Sequence, residues 1–325
     1  MPLTKEQDDN FNYIKASVII TRKLLEKNRE WENRFNEYAK RILANTANIK
    51  HKKKLFHEWA PLHLYLNVDQ SRKASSSVKF CLRYHGQAVA DLSVSDTVAL
   101  STETYNDKNA RYFGCNHKVT DTWDSPAAVK FRSFFSSLPH RIGNKEHRVE
   151  SMLLTELSKG KSISKAEALQ WIQPVKIADI ARFQMPTPIK ASSNPICYSR
   201  KGGGIDILAR VGSGPNTNLC VMEVKDEYAA SEPPKEALAQ GVAYATFLRE
   251  LLRSNSGPLW WKIFGFSRKL PKSLKIHVAS VMPPNPNGSS DTTTYQDILI
   301  DSDQLKLGYI YFTESNNTIA AQRFM

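Results

Sequence analysis

From Phe11 to Leu43 polar and apolar residues alternate at helical intervals, with neither Gly nor Pro in the run. Phe11, Ile14, Val18 and Leu25 make one stripe, and Leu24, Trp31, Phe35, Tyr38 and Ile42 continue it at spacings of 7, 4, 3 and 4. This period predicts a long amphipathic helix, bent or coiled against a partner. After residue 61 the pattern shortens. LHLYLNV, VKFCLRYHG, AVADLSVS and VALSTETY are rich in β-branched and aromatic residues and are separated by polar or Gly-containing breaks. They predict a small antiparallel β module, with 114–145 irregular after it.

Helical spacing returns near Lys145, where Val149, Met152, Leu153 and Leu157 share one side of HRVESMLLTELSKG. Residues 161–198 read as an insertion: a short helix, SKAEALQWI, then a stretch punctuated by Pro174, Pro186, Pro188 and Pro195. IDILARV (205–211) and LCVMEVK (219–225) predict two strands, and the GSGPNTN between them makes a hairpin. EALAQGVAYATFLRELL (236–252) predicts an alanine-rich helix, LKIHVASVM (274–282) a buried strand and GYIYF (308–312) another. The expected fold class is α/β with a mixed central sheet. Three regions are expected: 1–60 as a helix for partner or self-association, 61–144 as the β module, a candidate for nucleic-acid or partner binding, and 145–325 as the α/β domain.

Composition narrows the class. The chain has 325 residues, 41% of them hydrophobic, enough for a substantial core. No run approaches the roughly 18 apolar residues of a membrane span, and the start shows no secretory pattern. The four cysteines, Cys81, Cys115, Cys197 and Cys220, are dispersed without a CxxC, which argues against a structural zinc site and a disulfide framework. A reducing cytoplasm is the expected setting. The formal charge is +13, distributed as +5, +4, +2 and +2 over residues 1–60, 61–145, 146–228 and 229–325. Spread in this way it suits a folded surface facing a polyanion. The His51-Lys52-Lys53-Lys54 cluster reads as a solvated helix end or as a phosphate contact.

The candidate chemistry sits in Gly204-Ile205-Asp206-Ile207-Leu208 and Val221-Met222-Glu223-Val224-Lys225. In a strand Glu223 and Lys225 share a face and Val224 points the other way. A carboxylate and an ammonium set inside an apolar strand are costly to bury without a further partner; a divalent cation shared with Asp206 on the adjacent strand would provide one. Glu223-Val224-Lys225 is the chain's only Glu-x-Lys. Asp206 has an alternative use as a turn cap after Gly202-Gly203-Gly204. Trp260 and Trp261, with Phe264 and Phe266, fit either base stacking or core packing.

These segments resemble the PD-(D/E)xK nuclease superfamily, whose signature is an acidic residue on one strand, Glu-x-Lys on the next and usually an upstream helical Glu. The matching positions are Asp206, Glu223 and Lys225, with Glu150 as the best helical candidate and Glu146 and Glu156 as rivals. Ile205 stands where the family usually carries Pro. Gln240 and Tyr244 are similar to the Gln-x-x-x-Tyr element of the subgroup related to the RecB nuclease domain, and an i,i+4 pair shares one helix face. The resemblance covers about residues 145–285.

It implies a restriction-endonuclease-like fold and a metal-dependent nuclease, a DNA endonuclease by preference. Mg²⁺ or Mn²⁺ would be held by Asp206, Glu223, the Val224 carbonyl and Glu150, with Lys225 neutralising charge and Gln240 and Tyr244 positioning substrate. The alternative is a nucleic-acid-binding or assembly protein that keeps the fold without cleaving. A geometric requirement follows. In a hairpin symmetric about its loop, Val211 faces Leu219 and Asp206 falls on the side away from Glu223, so the site needs a one-residue offset or a bulge.

Overall fold

The computed structural model describes residues 3–56, 59–68, 77–138, 145–159, 167–226, 233–284, 293–315 and 318–324. The first predicted helix is two, α1 (Lys5–Lys27) and α2 (Glu30–Ala44), followed by the short α3 (Thr46–Lys52). Thr4 and Gln7 start α1 as a reciprocal capping box. Asn28 ends it, leaving helical geometry while its side-chain amide donates to the Leu24 carbonyl at 2.7 Å.

The stripe along α1 and α2 is buried within its own chain. Trp31 and Phe35 meet Phe247 at ring-centroid distances of 5.7 and 5.0 Å, Phe11 stacks on Tyr295, and Trp260 Nε1 donates to the Phe35 carbonyl at 3.1 Å. Each fully buried ring contributes about 2 kcal/mol. The surface expected to serve partner or self-association is therefore already covered. Trp260 and Trp261 are core residues as well.

The β module forms as β1 (Leu62–Leu66), β2 (Val78–Tyr84), β3 (Gln87–Val94) and β4 (Val98–Ser101), paired antiparallel in that order. Part of the region expected to be irregular forms regular elements instead. After α4 (Asn106–Phe113) come β5 (Thr120–Thr122), which adds a fifth strand beside β4, and α5 (Pro126–Ser136). Ser125 accepts from the Ala128 N–H and Pro126 takes the first helical position, the usual signs of a helix start.

The remaining chain builds a larger mixed sheet. Its elements are α6 (Lys145–Leu157), β6 (Ile172–Pro174), β7 (Met185–Lys190), β8 (Cys197–Ile205), β9 (Ile207–Val211) and β10 (Asn218–Val224). These are followed by α7 (Pro234–Arg253), α8 (Gly257–Ile263), β11 (Lys275–Met282), β12 (Ile298–Ile300), β13 (Asp303–Ser315) and β14 (Thr318–Phe324). Strands run in the order β12-β13-β11-β10-β9-β6, with β14 also on β13. The two central pairings, β10–β11 and β11–β13, are parallel, and α7 makes the crossover between β10 and β11.

The proline-punctuated stretch differs from expectation. The part of SKAEALQWI before Glu167 lies outside the described residues; the rest is a short turn leading into β6, and Pro186 and Pro188 lie inside β7. Proline is tolerated there because β7 pairs only with β8, as a two-stranded edge. Gly202, at φ +60°, lets β8 pass Thr187, whose carbonyl a Cβ would strike at 1.5 Å.

The two faces of β10 have different neighbours. Leu219 and Val221 point into a core shared with α1, α2, α7 and α8, whereas Cys220, Met222 and Val224 point into a second core with Val149, Leu153 and Leu157 of α6. Glu223 and Lys225 continue the Leu219 and Val221 face toward α7.

Candidate metal centre

The β9–β10 register carries the offset that the site requires. Val211 pairs with Asn218, Leu208 with Val221 and Ile207 with Met222. The pairing ends there; Asp206 is the next residue, and a carboxylate oxygen of its side chain lies within 4.8 Å of one of Glu223. Asp206 lies in the bend between β8 and β9, and its Oδ2 accepts the Val224 N–H at 2.9 Å. This bond links the bend to the end of β10.

Helices bring the other groups. Glu146, at the start of α6, joins Asp206 and Glu223 so that one carboxylate oxygen from each lies within 4.8 Å of the others. Lys225 Nζ donates to Glu223 Oε1 at 3.3 Å and to Gln240 Oε1 at 3.0 Å, and stands 3.7 Å from Glu146 Oε1. Gln240 reaches Lys225 because α7 lies close on the sheet. A Cβ on Gly241 would stand 3.0 Å from Val278 Cγ1 and 3.7 Å from Glu223 Cβ. Tyr244, one turn beyond Gln240, places its hydroxyl 2.9 Å from where a Cβ on Gly203 would sit.

Of the residues selected from sequence, Asp206, Glu223, Lys225 and Gln240 come together in one cluster. Glu146, a rival for the helical position, is the α6 residue in the three-carboxylate group. Glu150 is one turn on and 1% exposed; its Oε2 lies 3.4 Å from His147 Nδ1, and its Oε1 has no hydrogen-bond partner among the described residues. Glu156 is at the far end of α6, paired with Lys159. The backbone N–H of Val224 is engaged by Asp206, as above, and that of Lys225 donates to the Val281 carbonyl of β11 at 2.8 Å.

The electrostatics report crowding of like charges. Burial pushes the Asp206 carboxyl well above the usual carboxylate range, and the charges of Glu223, Glu150 and Glu146 push it further; the Val224 N–H opposes them. The Tyr244 hydroxyl is also raised, by burial and then by Glu223 and Asp206, so it stays protonated and serves as a donor.

The β module supplies a wall that sequence patterning did not reveal. Arg83 Nη1 donates to Gln184 Oε1 at 3.4 Å, and the Gln184 side chain lies over Gly204, two residues before Asp206. His147 of α6 packs against Gly86 in the β2–β3 turn. Burial, and then the Glu150 charge, raise the Tyr65 hydroxyl on β1. Tyr65, Arg83 and Gly86 stand 120 to 141 positions before Asp206, with no local pattern linking them to the motif.

Among the described residues, three carboxylates converging beside the single ammonium of Lys225 make a donor set suited to a hard divalent cation such as Mg²⁺ or Mn²⁺. Lys225 offsets one of the three charges. The orphaned Oε1 of Glu150 lies one turn further along α6. Comparison with family models, curated proteins and solved structures returned no match. The class defined by the fold is thus a mixed α/β protein, and its functional reading rests on the site.

Proposed function

We propose that the protein is a metal-dependent nuclease that hydrolyses phosphodiester bonds, with DNA the favoured substrate, on a restriction-endonuclease-like core spanning about residues 145–325. One observation carries this reading: the carboxylates of Asp206, Glu223 and Glu146 converge within 4.8 Å, with the Lys225 ammonium held between Glu223, Gln240 and Glu146. The chain order supports it too. A helix with an acidic residue, an acidic bend, Glu-x-Lys on the next strand and Gln-x-x-x-Tyr on the next helix occur in the sequence of the nuclease signature.

Asp206, Glu223 and Glu146 would hold the ion, with the Val224 carbonyl and Glu150 as further candidates. When bound, a divalent ion neutralises charge on the phosphoryl group and makes water more acidic. The chain's own groups do the rest. Lys225 presents an ammonium positioned by Glu223 and Gln240, a point charge suited to offset negative charge developing on a phosphoryl oxygen. Gln240 orients Lys225 by accepting from it. Tyr244 offers a protonated hydroxyl on the same helix face.

The test is cleavage of plasmid and single-stranded DNA with Mg²⁺ or Mn²⁺, set against chelator, for wild type, Asp206→Ala and Lys225→Ala. Metal-dependent cleavage by wild type and its loss in both variants is expected. Equal activity in all three proteins removes the assignment, and salt-sensitive binding without cleavage under either metal turns the reading toward a non-cleaving binder.

A further inference from the structure

Building on the nuclease reading, we propose that a nucleic-acid backbone is gripped in a basic groove at the end of α6 opposite the carboxylates. The groove's walls come from the N-terminal helices and the catalytic half together. One cavity of about 620 Å³ is bordered by Lys53, Lys54, Lys176 and Arg182. A neighbouring one of about 280 Å³ adds Lys159 and Arg210. The two share Ser158, Lys176 and Asp179, which makes them one continuous depression.

Among the described residues six cationic side chains line this depression against one carboxylate. That carboxylate, Asp179, is already paired with Lys50 at 3.4 Å. Lys159 is paired with Glu156, and Arg210 Nη1 donates to the Gly265 carbonyl at 2.9 Å. The basic run seen in the sequence divides here. Lys52 is 6% exposed and donates to the Ser95 carbonyl at 2.6 Å, so it fastens α3 to the β module. Lys53 and Lys54, beyond the helix end, border the groove. A concave, predominantly basic surface concentrates a polyanion, and a phosphate backbone fits a groove with two walls better than a flat membrane surface does.

Arg182, which borders the groove, is bridged in parallel to Tyr65 of β1, and its carbonyl accepts the Leu66 N–H at 2.7 Å. Along α6 the twelve residues from Glu146 to Ser158 rise about 18 Å at 1.5 Å each. At about 3.4 Å per base pair that is a separation of roughly five base pairs between the gripped segment and the cleaved bond.

The test is anisotropy of a short labelled DNA duplex titrated with full-length protein in chelator at several salt concentrations. The comparison is wild type with the triple variant Lys53→Glu/Lys54→Glu/Lys176→Glu and its milder counterpart Lys53→Gln/Lys54→Gln/Lys176→Gln. Loss of three phosphate contacts is expected to lower the slope of log affinity against log salt by about 2.7, and to weaken binding at least tenfold. The Gln variant should fall between wild type and the Glu variant.

Hydrolysis of bis(p-nitrophenyl) phosphate with Mn²⁺, a diester too small to reach the groove, should be the same in all three proteins. Unchanged duplex affinity and slope in the Glu variant overturn the proposal, as does failure of wild type to bind duplex. So does a loss confined to phosphatidylcholine–phosphatidylserine vesicles. If duplex binding weakens as expected while wild type cleaves neither the small diester nor plasmid, the groove stands and the nuclease reading fails.

Discussion

Helix α7 lies beside two ionic assemblies that resolve their charges in opposite ways. Near its C-terminal end Asp303, 1% exposed, accepts from Arg249 Nε at 2.7 Å, Arg253 Nε at 2.9 Å and the Leu274 N–H at 2.8 Å. Arg249 also reaches Asp301 at 2.6 Å and Glu250 at 2.8 Å. Burial alone would raise the Asp303 carboxyl; Arg253, the Leu274 N–H and Arg249 outweigh it and hold the group below its ordinary value of 3.8. Nine residues before Arg249, Gln240 faces a cluster in which burial and neighbouring carboxylates push Asp206 up. The first assembly is complete within the protein. Among the described residues the second sets three converging carboxylates against one ammonium, a surplus that a bound cation would meet, and that difference separates a structural ion network from a candidate active site.

The strongest way to break this contrast is to remove its central carboxylates in turn. Asp206→Ala should lower metal-dependent cleavage about a thousand-fold, on the scale of losing a principal electrostatic group from a catalytic site. Its melting temperature in chelator should stay level or rise, because one of several crowded like charges is gone. Plasmid cleavage and thermal denaturation read the two effects separately; intact activity with a falling melting temperature would make Asp206 structural.

Asp303→Ala should do the reverse. It leaves Arg249 and Arg253 facing an emptied acceptor, at a cost of about 3–5 kcal/mol in urea denaturation, with cleavage by the folded fraction preserved. The pH dependence follows in sign. A carboxyl lower in the folded than in the unfolded chain contributes stability fully above the unfolded value, and loses it as pH falls through the folded one. Wild type should therefore lose this contribution below about pH 4, and Asp303→Asn should lack that part of the acid transition.

Local chemistry made much of the site visible in the sequence, and long-range packing hid the rest. Glu-x-Lys in an apolar strand and an Asp across a Gly- and Pro-rich loop identify the strands, and the same-face requirement identifies the one-residue offset. Glu146 and Glu150, one turn apart on α6, cannot be ranked by periodicity, because the choice depends on how the start of α6 meets the sheet. The stripe of Phe11, Trp31 and Phe35 reads as available for a partner since its cover, Phe247, Trp260 and Tyr295, is more than 200 residues away. Pro186 and Pro188 mask β7 because a single-partner edge tolerates missing amide donors that a central strand does not.

A metal titration sharpens the contrast at intermediate size. An ion bound only by the folded protein adds about 2.7 kcal/mol at a hundred times its dissociation constant. Mn²⁺ should raise the melting temperature of wild type and of Asp303→Asn, and leave Asp206→Ala nearly unmoved. Equal shifts in all three would place the ion elsewhere.

The smallest effect expected belongs to the seat of α7 on the sheet. In Gly241→Ala the added methyl stands 3.0 Å from Val278 Cγ1, a side-chain tip able to yield by a few tenths of an ångström, and 3.7 Å from Glu223 Cβ, an ordinary contact. Replacing a mid-helix glycine contributes about 1 kcal/mol of helix stability, and crowding a packed position costs about as much or somewhat more. Urea denaturation should therefore place Gly241→Ala within about 1 kcal/mol of wild type, with cleavage reduced less than tenfold. Gly241→Val cannot be absorbed in this way. Its branched side chain must displace Val278 or Glu223, and a Glu223 moved from Lys225 should lose cleavage out of proportion to stability. Parallel losses of both in the valine variant would mean that α7 supports the fold as a whole and does not specifically set the position of Glu223.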